Sequence, residues 1–302
     1  MDDELSYFYN RILDFTALGS ITTKPLCMYI IITKTPKYMR TVSYFIFNEL
    51  FWNFVGNLLF TLGHVVPMMP ALCYRMDGLI SYALKSEVQR SMYFIAIVIT
   101  VVNCCLGFVT TFIYRFVTLA FGNTISRFYK YCGYVNCVAG HFILAVAVAF
   151  LFKLWMIPVN EYPIADLPEK TENLFCYRPE GLKMAIVMYS LLTCFGGTVL
   201  IVTLFAGLSI RELWIKRHHL EKKTISMQKE VQNNLLIITG AAILVGGLPL
   251  LVHTTYVTHS KWPFAREIVS ASVLISLNYG TIYAILVLFL FKSYRKVVLG
   301  RF

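Results

Sequence analysis

Seven stretches of this 302-residue chain are apolar enough and long enough to cross a lipid bilayer, and no other feature restricts its fold so sharply. A hydrocarbon core roughly 30 Å thick needs about 20 residues of helix, and every backbone N–H and C=O inside it must be satisfied within the segment. The stretches run from about Phe15 to Thr33, Val42 to Val66, Ser91 to Val117, Tyr131 to Ile157, Met184 to Ile210, Asn234 to Val257 and Ile268 to Phe291. Composition agrees, with 58% of the residues hydrophobic and 14% charged, where a soluble domain carries about 25% charged residues. Between the second and third stretches lies "PMMPALCYRMDGLISYALKSEVQR", whose Arg75, Asp77, Lys85, Glu87 and Arg90 are too closely spaced for lipid, so it reads as a loop. The expectation is an all-α membrane protein, one seven-helix domain over residues 1–302.

Loop charges give the orientation. The loops at Lys34 to Thr41, Arg115 to Lys130 and Arg211 to Asn233, together with the tail from Lys292, hold sixteen lysines and arginines against three acidic residues. The opposite set, including the N-terminus, holds nine against twelve. Cytoplasmic loops retain the positive excess, which predicts the N-terminus outside and the C-terminus inside. The acidic opening "MDDELSY" has no basic n-region and does not read as a cleaved signal peptide. The net charge of +11 is then a membrane-insertion signal with attraction to anionic lipid, and it calls for no nucleic acid.

In "KKTISMQKEVQNNLLIITGAAILVGGLPLLV", Lys222 to Val252, a polar helix end runs without a linker into the sixth stretch. Lys222, Lys223, Gln228 and Lys229 would project below the membrane toward a cytosolic partner, or simply form a solvated helix end. Pro249 removes a backbone hydrogen bond and predicts a bend about which the lower part of the helix can swing.

The same segment resembles nematode seven-helix chemoreceptors, in which a short Ser/Thr and Lys-bearing turn and a Gln precede a proline-bearing sixth helix. The ending "LISLNYGTIYAILVLFLFKSYRKVV" is similar to their seventh helix, with Gly280 and Thr281 at its small-residue site and Tyr294-Arg295 at its close. The early "YIIITKTPKYMRTVSYFIFNELFW" resembles their first loop and second helix, with Asn48 and Trp52 in place. These segments point to serpentine receptor class H or class I of the Str-type superfamily. The resemblance implies a G protein-coupled receptor in the plasma membrane, in cilia of sensory neurons, with a small external odorant-like ligand and a heterotrimeric G protein as partners. It implies that Arg115 and Arg295 join Lys222, Lys223, Gln228 and Lys229 at the coupling surface, that Pro249 serves the switch, and that no cofactor is needed.

Departures accompany the likeness. The family's third helix ends in a Phe-Glu-Asn-Arg-like run, whereas "FIYRF" keeps Arg115 and lacks the acid; an expected Asp falls at Asn57, and an expected His at Tyr279. Without the acid, Arg115 is expected to be less restrained at rest.

An arginine at a helix end commonly snorkels to lipid phosphates, the plain alternative to a signalling role for Arg115. Of the charges inside the stretches, Glu49, in reach of basic groups at the cytoplasmic end, is expected to form a structural ion pair or hydrogen bond, Lys153 to snorkel, and Lys24, beside Pro25, either to face the bundle interior or to precede a shorter first helix. A pocket between the third, fifth, sixth and seventh helices would take Tyr93, Thr100, Asn103, Tyr189, His253, Tyr256 and Ser276 as lining, although each could equally pack between helices. Of eight cysteines, Cys73 and Cys176 fall in outside loops, where the pair can bridge or stay free. No Asn-x-Ser/Thr acceptor occurs.

Enzymatic function lacks its parts: no zinc-protease helix motif, nucleophile elbow, phosphate loop or Cys-x-x-Cys pair is present. Adjacent His218 and His219 cannot share one helix face and are expected to be solvated, so no metal site is predicted. A transporter or ligand-gated channel is the alternative class. It would call for inverted repeats and mid-membrane acids, of which Glu49 is one and matching halves are missing.

Overall fold

The computed structural model describes residues 2–36, 39–121, 127–163, 167–168, 171–216 and 222–300, with side chains at all of these except 2–3, 127–132, 134 and 222–225. Among them, seven helices are long and apolar enough to cross a membrane. The first five are α1 (Asp2–Lys34), α2 (Arg40–Gly63), α3 (Glu87–Phe121), α4 (Arg127–Trp155) and α5 (Leu182–Lys216). The sixth crossing joins α6 (Lys222–Ala241), a π-helical turn at Ala242–Gly247 and α7 (Leu248–Thr258); α8 (Ala265–Leu290) is the seventh, followed by the short α9 (Lys292–Val298).

Hydropathy underestimated α1, which begins at Asp2 rather than Phe15. The reason is a buried stripe at helical spacing, Ser6, Tyr9, Leu13, Thr16, Ser20, Lys24 and Cys27, made largely of small or polar residues that an apolar window misses. Elsewhere local chemistry sets the ends. At the start of α3, Ser86 and Gln89 form a reciprocal cap: Gln89 N donates to Ser86 Oγ at 3.2 Å, and Ser86 N donates to Gln89 Oε1 at 3.1 Å. At the end of α2, His64 turns left-handed with φ 42°, and its N–H bonds Phe60 O at 2.9 Å. Gly78 closes the turn beside it, because a Cβ there would overlap the carbonyl of Leu62.

The sixth crossing departs from α geometry one turn before the predicted bend. Pro249 sits in the first turn of α7, and its ring crowds the carbonyl four residues back, so the register shift falls in Ala242–Gly247, where Gly246 and Gly247 hold helix poorly.

The loops at one end add a small sheet to the helical bundle. Val65–Pro67 (β1), Cys73–Met76 (β2), Met156–Ile157 (β3) and Leu174–Tyr177 (β4) form an antiparallel sheet in the order β1-β2-β4-β3. Cys73 faces Cys176 across β2 and β4, and the two are joined by a disulfide. The sheet is nailed to the bundle by Tyr9, whose hydroxyl donates to Val65 O at 3.1 Å, and by Ser91 and Tyr177, whose hydroxyls lie 2.9 Å apart. Beneath it an aromatic layer packs tightly, with Trp155 stacked on Tyr177 at 4.5 Å and Tyr74 on Phe94 at 4.7 Å. A second core, including Ile46, Leu50, Phe112, Tyr283 and Tyr294, fills the opposite end, which carries α9 and is called the tail end below.

Removing the disulfide frees a loop spanning 103 residues. Cys73→Ser is expected to lower stability by about 2–4 kcal/mol, read as a lower Tm of the purified protein; a reductant should bring the wild type to the same Tm.

Candidate functional site

Below the sheet, α2, α3, α5, the sixth crossing and α8 enclose a mostly apolar cavity of about 200 Å³. The sheet end contributes Val65, Pro67 and Tyr74, and the lining continues down to Glu49, Phe108 and Ala242.

Of the seven residues expected to line it, Thr100, His253 and Ser276 do. Asn103, Tyr189 and Tyr256 do not, because each lies one residue from a wall position (Cys104, Met188 and Val257) and one residue turns a helix by about 100°. Asn103 faces α4, its Oδ1 3.0 Å from His141 Nδ1. Tyr189 is 65% exposed on the outer face of α5, and Tyr256 packs edge-on against Trp262. Tyr93, one residue before the wall position Phe94, donates its hydroxyl to Leu59 O at 2.6 Å, in the seam between α2 and α3. The α2 wall was missed altogether. Its signal was legible as the spacing Glu49, Trp52, Asn53, Gly56, Asn57 and Phe60.

The floor holds the buried charges. Lys24 is 0% exposed, and its Nζ donates to Asn53 Oδ1 at 2.6 Å. That contact requires Gly280, since a Cβ there would overlap Asn53 Oδ1. Glu49, 1% exposed and one turn from Asn53, forms the hydrogen bond rather than the ion pair, accepting the hydroxyl of Tyr279 with Tyr283 beside it. Asn57 donates Nδ2 to Leu277 O at 2.8 Å, a bond that the carboxylate expected at this position has no N–H to make. Lys24, Glu49, Asn57 and Tyr279 therefore belong to one polar seam joining α1, α2 and α8. Lys153, by contrast, is exposed.

At the sheet end, Arg75 grips Asp77 with Nε–Oδ1 at 2.7 Å and Nη2–Oδ2 at 2.9 Å, and Asn10 Nδ2 reaches Asp77 Oδ2 at 3.3 Å. His64 Nε2 lies 3.5 Å from Asp14, but burial lowers its pKa, against the opposing pull of Asp14 and Asp77.

At the tail end, Arg115 is 5% exposed and turned inward, not snorkelling. Its guanidinium crosses to the sixth crossing, with Nε 3.4 Å from Gln232 Oε1 and Nη2 3.1 Å from Gln228 O. The three quoted sequence segments meet around this end. Thr35 of the first and Tyr294 of the last share a hydroxyl contact at 2.8 Å, with Ser43 at 2.9 Å, while Asn234 Nδ2 of the sixth crossing donates to Leu290 O at 3.0 Å. Lys229 and Arg295 are exposed there. Lys222 and Lys223 open α6, but their side chains lie outside the described residues, as do His218 and His219.

A family model, described as serpentine-type seven-transmembrane GPCR chemoreceptor Srh, matches residues 4–302. The chain belongs to the Srh chemoreceptor family. No curated protein matches it. Of the two classes open to the sequence, Srh is class H, and with seven membrane-length helices the protein is a multi-pass membrane protein of the G protein-coupled receptor type. The family is one of receptors rather than enzymes. For this Srh receptor, the segments that carried the resemblance are also those that pack against one another at the tail end, through Thr35, Ser43, Asn234 and Tyr294.

The contact between Asn53 and Gly280 can be tested by a double-mutant cycle. Gly280→Ala should lower Tm markedly, because Asn53 is driven off Lys24 and a buried cation is left unpaired. In an Asn53→Ala background the same change should cost far less, giving a coupling of about 1–3 kcal/mol.

Proposed function

We propose that this receptor stands in the plasma membrane of sensory cilia with its sheet end and N-terminus outside, binds a small odorant-like molecule in the cavity, and activates a heterotrimeric G protein at its tail end through outward movement of the sixth crossing. The positive loops at the tail end and a disulfide in the opposite loops, where the surroundings are oxidising, support this orientation.

One observation carries the mechanism. The π-helical turn that interrupts the sixth crossing is itself cavity wall, through Ala242, Ile243, Gly246 and Gly247, and the helix below it holds Arg115. A ligand pressing on that turn changes the hinge directly, and the hinge angle decides whether Gln228 and Gln232 stay against Arg115. The latch is weak by construction: Gln232 Nε2 and Gln228 Oε1 have no hydrogen-bond partner, and the run FIYRF carries no acid beside the arginine. Once released, Arg115 receives the C-terminal helix of the G protein α subunit, with Lys222, Lys223, Gln228, Lys229 and Arg295 around it.

Gln232→Leu removes the side-chain half of the latch, leaving the contact with Gln228 O, and keeps Arg115 available. A hydrogen bond to a charged group is worth about 1.5–3 kcal/mol, so basal G protein activation in cells should rise roughly tenfold or more, whereas Arg115→Ala should lose coupling. Ile113→Glu, which supplies an acid two residues before Arg115, should lower basal activity. Unchanged basal activity in Gln232→Leu would show that the sixth crossing is not held at this point. Terminal tags give the orientation: an antibody should reach the N-terminal tag, and not the C-terminal one, on intact cells.

A further inference from the structure

The cavity's polar atoms are mostly occupied. Thr100, Thr198 and Thr254 donate their hydroxyls to Ile97 O, Cys194 O and Leu250 O of their own helices at 2.6 Å, 2.8 Å and 2.8 Å. Asn53 holds Lys24, and Glu49 holds Tyr279. Three lining residues differ. At the floor Glu49 Oε2, with Tyr283 beside it, has no hydrogen-bond partner, and higher up neither Ser276 Oγ nor His253 Nδ1 has one. A neutral imidazole has one N–H and one bare nitrogen, so Nδ1 is a donor or an acceptor according to the tautomer, and a group that both gives and takes a hydrogen bond satisfies it either way.

Unmatched polar groups in an apolar cavity favour a ligand that completes them, since a buried acceptor left without a donor is costly. An ether or an aldehyde can only accept, so it satisfies the Nδ1–H tautomer alone and leaves a bare Nδ1 unmet. An ammonium could donate, at the cost of taking its charge out of water. A neutral hydroxyl both donates and accepts. Size follows from volume: an apolar cavity of about 150 Å³ holds benzene, so about 200 Å³ takes roughly eight non-hydrogen atoms.

We propose that the cavity recognises a small apolar alcohol, its hydroxyl completing the hydrogen bonding of His253 Nδ1 and Ser276 Oγ. The two residues sit on α7 and α8, so the hydroxyl ties the sixth crossing to the seventh beside the π turn. This deepens the receptor reading and rests on it only in taking the cavity as the ligand site.

Isomer pairs of matched size test it: n-heptanol with methyl hexyl ether, cyclohexylmethanol with cyclohexyl methyl ether, and benzyl alcohol with anisole. Each is titrated into the purified full-length receptor, and affinity is taken from the rise in Tm. The alcohol should bind roughly tenfold tighter than its ether in at least one pair. In His253→Phe that ratio should fall toward unity, and Ser276→Ala, a smaller change that guards against a folding failure in the first variant, should also narrow it. Partition into detergent is common to wild type and variants and does not mimic the result. Ethers binding as tightly as alcohols in every pair, no compound binding, or a ratio unchanged in both variants would overturn the proposal. The assay contains no G protein, so its failure leaves the basal-signalling test standing, and a failure of that test leaves the isomer ratio standing.

Discussion

A lysine and a glutamate, both buried inside a lipid-embedded bundle, set the conditions that much of this fold must meet. Neither group has water around it, so each must be met by polar groups brought from other helices. Asn53 meets Lys24 and Tyr279 meets Glu49, which draws α1 and α8 onto the same face of α2. Gly280 exists at that crossing because nothing larger leaves room for Asn53. The apolar cavity stands directly on this seam, with Glu49, Asn53 and Tyr279 among its walls.

The seam also explains two of the three departures from the family pattern. Tyr279, where a histidine is expected, brings a hydroxyl to Glu49, and Asn57, where an aspartate is expected, brings an N–H to a carbonyl of α8. The third departure, the missing acid beside Arg115, leaves the arginine to a glutamine side chain and a backbone oxygen of the sixth crossing. Cavity wall, π turn and the contact with Arg115 lie in sequence along that one crossing.

Legibility of the site followed helical phase. Thr100, His253 and Ser276 were recognisable because they share a face with their apolar neighbours on the wall, while Asn103, Tyr189 and Tyr256 sit one residue away and point elsewhere. The α2 wall had a clear spacing, yet its glutamate and asparagines drew attention to charge and away from periodicity. In α1 the opposite occurred, since a buried stripe of serine, threonine and lysine looks polar in any hydropathy window. The sheet was invisible because strands of two to four residues leave almost no pattern, and their pairing joins loops far apart in the chain.

By itself the sequence determined the number of crossings and the side on which positive charge gathers, because hydropathy and charge act on each segment separately against lipid and water. Family membership was legible too, because it rests on short local runs. Tertiary structure alone decided which face of each helix turns inward, that Cys73 meets Cys176, that Lys24 finds Asn53 and that Arg115 finds the sixth crossing. Those outcomes depend on helix rotation and on pairings across tens to hundreds of residues, and no window along the chain contains both partners.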